Sequence, residues 1–236
     1  MARWNSLLVC CVMLGTSGCA FLNAGSPSRI QPVSPSPRVG QVVILRGFIG
    51  IWSVGLDGLG HEINASGIQA TVFQNDQWYF LAKAIIKNYR DAKNPEPLVI
   101  VGHSYGADDA VRMARVLNAG NVKVDLLITF DPVTPPLVPP NVRVVLDYYA
   151  SRGIADNLPW WRGIPLKVEP GFKGMLNNFD LATNRPDLQV KDYRHGQIEK
   201  DKKIHAEILQ WLSRMCPPRN KLDSRARPLP RGATSG

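Results

Sequence analysis

The chain has 236 residues, with 44% hydrophobic and 20% charged residues, which excludes a wholly disordered polymer. Its net charge of +9 first suggests a nucleic-acid partner. Seven of those nine charges sit at the ends, on Arg3, Arg29 and Arg38 and on the excess of Arg219, Lys221, Arg225, Arg227 and Arg231 over Asp223, so the nearly neutral middle excludes a nucleic-acid stripe.

In chain order, Arg3 gives a positive start and Ser6 to Leu14 a short apolar run, too short to span a bilayer and of the kind found in an export signal. Thr16-Ser17-Gly18-Cys19 follows; small residues ahead of a cysteine resemble a bacterial lipobox. That resemblance implies lipidation at Cys19, a signal over 1–18, and attachment to the bacterial cell envelope through a lipid anchor; plain secretion is the alternative. Cys10 and Cys11 would leave with the signal, leaving Cys216 with no partner for an internal disulfide. Residues 19–38 carry three Ser-Pro pairs and read as a stiff spacer.

The expected domain covers 39–216. Gln41 to Leu45 reads as a strand, Val54 to Ala65 as a helix and Gly67 to Phe73 as a strand. Trp78 to Tyr89 reads as a helix with Leu81, Ile85 and Ile86 on one face. Leu98 to Val101 is a continuous apolar run, expected of a strand buried on both sides, and Tyr105 to Leu117 is helical. Val124 to Phe130, Val142 to Tyr148 and Leu188 to Tyr193 read as strands, and Glu199 to Leu212 as a closing helix with Ile204, Ile208, Leu209 and Leu212 on one side. Alternating strands and helices predict an α/β fold with a mostly parallel sheet and helices on both faces. Residues 217–236, with four prolines and five basic residues, read as a disordered tail.

The chemistry lies in Gly102-His103-Ser104-Tyr105-Gly106, placed between a buried strand and a helix. In that setting Gly-x-Ser-x-Gly is a nucleophile elbow, with the serine raised on a sharp turn and glycines where side chains would collide. With Arg46-Gly47-Phe48 after the first strand, the chain resembles the α/β-hydrolase superfamily in its lipase and thioesterase branch. The resemblance implies a minimal α/β-hydrolase fold, with Ser104 as nucleophile and backbone N–H groups of Tyr105 and of Phe48 or Ile49 as the oxyanion hole. Arg46 stands where the family usually has histidine.

A serine nucleophile needs a base and an orienting acid, and in this superfamily they follow it as acid and then histidine. His195, in a loop before the closing helix, is the expected base; His205 lies inside that helix, and His103 and His61 stand in the wrong order. Asp131, just past a strand end in Phe130-Asp131-Pro132, is the expected acid, with Asp147 and Asp180 as alternatives. The short Asp131–Asn141 bridge leaves no room for a cap domain there. Trp160 and Trp161 could meet acyl chains if exposed, or be core if buried. The expected activity is serine ester hydrolysis on a small-molecule or lipid ester by a monomer, with no cofactor and no metal, since no Cys/His ligand spacing occurs. Acyl transfer on the same triad, or a non-catalytic envelope scaffold, are the alternatives.

Overall fold

In the computed structural model, residues 25–47, 53, 55–151, 163–188 and 197–221 are described. Six strands, β1 (Gln41–Leu45), β2 (Gln69–Phe73), β3 (Leu98–His103), β4 (Leu126–Phe130), β5 (Val144–Tyr149) and β6 (Met175–Asp180), form one sheet in the order β2-β1-β3-β4-β5-β6. Every pairing is parallel. The helices are α1 (Gly55–Ala65), α2 (Trp78–Tyr89), α3 (Tyr105–Ala119) and α4 (Lys202–Met215). This is the expected α/β architecture, a minimal α/β-hydrolase fold, and the parallel central strands β1 and β3 are buried throughout because helices cover both faces.

Strand alternation divides the core in two. Val43, Leu45, Ile100, Leu127 and Val145 pack under α2 and α3, while Val42, Ile44, Val101, Ile128 and Tyr148 pack under α1 and α4. Residues 131–143 join β4 to β5 without a helix. There the chain from Gly163 to Val168 covers the sheet. Thr129, Asp147 and Asn178 stand in register across β4, β5 and β6. Asp147 and Asn178 both accept from the Leu166 N–H at 3.1 Å, and the Asn178 amide donates back to the Leu166 carbonyl at 3.1 Å.

Two expectations change. The sixth strand of the sheet is Met175–Asp180, which the sequence pattern did not pick out; of the expected strand Leu188 to Tyr193, Leu188 closes a 3-10 turn and 189–193 lie outside the described residues. β6 escapes a hydrophobic reading because it is an edge strand carrying Asn177 and Asn178. The stretch 25–38 was expected as spacer, yet it lies on the domain. Ile30 is buried in the core, the Gly25 N–H donates to Val72 on edge strand β2, and Arg38 donates to the carbonyls of Cys216 and Ser213 at the end of α4. An N-terminal segment thereby shields an open sheet edge and satisfies orphan helix carbonyls. No described helix is long and apolar enough to cross a membrane.

Candidate active site

β3 ends at His103 and α3 begins at Tyr105, so Ser104 alone makes the turn. Its backbone sits at φ 57° and ψ −125°, a conformation L-residues rarely hold. Packing enforces it. A Cβ on Gly102 would run into Gly106 and come within 2.8 Å of the Ala107 Cα; one on Gly106 would run into the Arg46 carbonyl and come within 2.6 Å of the Leu45 carbonyl. Only glycine at both positions lets α3 approach β1 and β3 this closely. Ser104 is 9% exposed, its N–H is bonded to the Phe130 carbonyl at 2.9 Å, and the N-terminal turn of α3 lies directly behind it.

Asp131 occupies the matching place on the next strand. His103 and Phe130 are register partners, so Ser104 and Asp131 are the next residues of neighbouring strand ends. Both have positive φ, as does Asn121, and no other described non-glycine residue does. Asp131 is fully buried, with φ 45°. Its carboxylate accepts from the Ala150 N–H at 3.2 Å and lies so close to Gly163 that a Cβ there would strike it. A buried residue absent from the sequence expectations holds this turn: Asp108, in the first turn of α3, accepts from the Val133 and Thr134 N–H groups, each at 2.9 Å, and from the Thr134 hydroxyl at 3.0 Å. Burial raises the Asp108 pKa, and those donors only partly offset it.

The alternative acids have other work. Asp147 lies inside β5, completely buried, accepting from the Thr129 hydroxyl at 2.7 Å and from Leu166. Burial pushes its pKa well up against those two donors, and the nearby Asp131 charge adds to the rise. Asp180 ends β6 and accepts from the Ser151 N–H and hydroxyl, the Ala182 N–H and the Thr183 hydroxyl. Burial acts to raise its pKa, but these bonds prevail and lower it, as suits a turn cap.

On the other side of the elbow, Gly47 lies against Ser104: a Cβ added to it would sit 3.4 Å from the Ser104 Cβ. Ser53 fixes that approach. Its Oγ accepts from the Gly47 N–H at 2.9 Å and bonds His103 Nδ1 at 2.7 Å. His103 Nε2 is 3.9 Å from a carboxylate oxygen of the fully buried Glu199. His103 thereby ties the loop after β1 to the chain just before α4. Arg46 points away toward α1, bonding Asp57 Oδ1 through Nη2 at 2.7 Å and Nε at 3.2 Å. His61 is exposed on α1. His205 is buried and spans Glu62 Oε2 at 2.9 Å and the Glu199 carbonyl at 2.8 Å, which makes it a structural tie.

Tyr105 opens α3 beside the elbow. Phe48, Ile49, His195, Cys19, Trp160 and Trp161 lie outside the described residues. No group of three or more His, Cys, Asp or Glu suited to a metal ion occurs among the described residues.

No protein-family model matches the chain, and no curated protein matches it in sequence. Among solved structures, a cutinase-like protein from Cryptococcus sp. is 13% identical with a TM-score of 0.42, covering 75% of this chain and 94% of its own. Lipase B of Aspergillus fumigatus is 14% identical with a TM-score of 0.46, covering 77% of this chain and 54% of its own. The type II thioesterase YbtT of the yersiniabactin pathway is 10% identical with a TM-score of 0.41, covering 75% of this chain and 92% of its own. These are distant likenesses of fold and assign no activity.

Proposed function

We propose that the protein is a serine hydrolase acting on ester or thioester bonds through an acyl-enzyme on Ser104, tethered to a bacterial envelope membrane by lipid on Cys19. The observation that carries the catalytic reading is the strained Ser104 at the junction of β3 and α3, with Gly47 packed against it and Asp131 at the adjoining strand end. Strain of this kind persists only where the surroundings enforce it, and it concentrates at functional sites.

In this reading His195 takes the proton from Ser104 Oγ as the oxygen attacks the carbonyl carbon, and Asp131 holds the imidazole in the required tautomer. Backbone N–H groups of Phe48 and Tyr105 hold the oxyanion. His195 passes its proton to the leaving alcohol or thiol. It then takes one from water, which attacks the acyl-enzyme carbonyl, and passes it to the departing Ser104 Oγ as the acid is released.

A fluorophosphonate probe should label the wild-type chain at Ser104, and Ser104→Ala should abolish labelling and aryl-ester turnover. His195→Ala should cost nearly as much, several orders of magnitude, because the members act as a unit. Asp131→Asn should cost less than either but far more than Asp147→Asn or Asp180→Asn, and the reverse ranking would move the acid elsewhere. For the tether, mass spectrometry of the membrane fraction should find a mature N-terminus at Cys19 bearing thioether-linked lipid.

A further inference from the structure

We infer that the outer face of α2 is a docking surface for an anionic phospholipid bilayer. Within α2 the residues turned to solvent are Tyr79, Phe80, Lys83 and Lys87, and Arg90 follows at the C-terminal cap. The spacing i, i+4, i+8 and i+11 from Tyr79 places Lys83, Lys87 and Arg90 in one stripe, with Phe80 beside its aromatic end. Phe80 is 72% exposed and Tyr79 45%, two of only five large apolar side chains so exposed among the described residues. They are neighbours at the start of one helix, their ring centroids 6.1 Å apart. Lys83 Nζ lies 5.9 Å over the Tyr79 ring. The helix contains no acidic residue; Asp76 and Asp91 flank it outside either end.

The other side of α2 needs nothing more from this surface. Leu81, Ala82, Ile85 and Tyr89 already fill the core under β1 and β3. Two exposed aromatics followed by a run of cations is the pattern of a helix that rests in a lipid interface, its rings among the acyl chains and its charges against anionic headgroups.

The path of the N-terminal segment names the occupant. Gly25 is bonded to Val72 and lies against Phe73, at the catalytic end of edge strand β2. α2 begins at that same end, because its first turn follows Phe73 through the short turn Asn75–Gln77. Since 25–38 lies on the domain, only five residues, 20 to 24, and so six Cα-to-Cα steps, separate a lipidated Cys19 from Gly25. At full extension they reach about 20 Å. The domain is therefore held close to the bilayer with the start of α2 beside its point of attachment. Asn75, in the turn before α2, donates to Asp109 near the start of α3, so the docked face adjoins the elbow, and a substrate drawn from the membrane would arrive at the site's rim. The attachment argument rests on the lipid-anchor reading; the aromatic and basic face of α2 does not.

The test uses mature protein reconstituted into vesicles containing phosphatidylglycerol, with an environment-sensitive dye on Phe80→Cys. Cys216 is a poor competitor for the dye because burial, against the nearby Arg38, pushes its thiol pKa up to about 12. The dye at residue 80 should shift to the blue and be quenched by lipid-borne quenchers. The same dye on Lys123→Cys, exposed at the opposite end of the sheet, should do neither. Lys83→Glu with Lys87→Glu should lose the shift, as should replacement of the anionic lipid by phosphatidylcholine. Water-like emission at residue 80 in protein whose Cys19 lipid is verified by mass overturns the docking surface while leaving the anchor standing. Absence of lipid on Cys19 overturns the anchor alone, and the dye on protein added to preformed vesicles then decides docking by the same shift.

Discussion

Ser104 holds a backbone conformation that costs a serine on the order of 1–3 kcal/mol, and the glycines on either side do not relieve it. This makes a prediction that separates strain from chemistry. Ser104→Gly and Ser104→Ala should both be inactive. Glycine in ordinary structure is less stable than alanine by about 0.5–1 kcal/mol, but here it adopts the required φ and ψ freely. Chemical denaturation should find the Gly variant as stable as the Ala variant or more so, by up to about 2 kcal/mol. A Gly variant clearly weaker than the Ala variant would mean the turn is not strained. A second residue-scale prediction concerns Ser53, whose hydroxyl joins Gly47 to His103. Ser53→Ala leaves the Gly47 N–H without that acceptor and loosens the loop leading to Phe48. The rate of probe labelling and kcat should fall roughly tenfold to a hundredfold, below the full loss of an oxyanion donor, with KM for a small soluble ester nearly unchanged. Equal losses in kcat and in folded fraction would reduce Ser53 to a structural part. The elbow itself was readable from five residues, since its glycines and serine are contiguous. Ser53, His103 and Glu199 were not readable as a set, because they meet only after the chain has folded, as does Asp108 with the Val133–Thr134 turn, and each alone resembles an ordinary polar residue.

At the scale of elements, periodicity located β1, α2 and β3 to within a residue or two, because these elements are covered on the faces their sequences make apolar. It failed at β6, a half-buried edge strand carrying two asparagines, of which Asn178 holds both backbone groups of Leu166 and Asn177 bonds Met175 Sδ in its own strand. α4 also begins later than its apolar pattern suggests, at Lys202, because Asp201 caps it through the Lys203 and Ile204 N–H groups. Glycines give a contrasting test within this scale. Gly106 is pressed by backbone from β1, which cannot move as a flexible side chain would, so Gly106→Ala should destabilise by about 3 kcal/mol or more, at the upper end of overpacking effects. Gly58, inside α1, has nothing within 4 Å of where a Cβ would stand. Gly58→Ala should therefore stabilise by about 0.5–1 kcal/mol and raise Tm by about 1–4 °C. If thermal melts show the two substitutions alike, the close packing of α3 on β1 is not what fixes the elbow.

Across the described domain, its first segment, 34–40, and its last, 213–219, are clasped together, and nothing in their Ser/Pro-rich and basic composition announces it. The contacts run through backbone groups and guanidinium forks, which leave no hydrophobic period to read. Arg38 bonds carbonyls at the end of α4, and Arg219 reaches back to the Ser34 and Ser36 carbonyls. Glu96, just before β3, closes the clasp. It accepts from the Ser34 N–H at 3.0 Å and the Gly40 N–H at 2.8 Å, and pairs with Arg219 at 2.6 Å. Burial acts to raise its pKa, but the Arg219 bond and the two backbone donors outweigh it and the net shift is downward. A carboxylate with a lowered folded pKa stabilises the fold at pH values above its unfolded pKa, about 4.5, and loses that contribution as pH falls through the lower folded value. Glu96→Gln should thus cost about 1.5–3 kcal/mol at pH 7, the range for hydrogen bonds to a charged group, and lower Tm by several degrees. The gap between variant and wild type should begin to narrow as pH falls below about 4.5 and should close only below the lowered folded value, where both side chains are neutral. Limited proteolysis at pH 7 should cut the variant first within 25–38, since freeing Ser34 and Gly40 releases that segment from the domain. A Tm difference that stays constant from pH 7 to pH 3 would show that the charge of Glu96 does not hold the clasp.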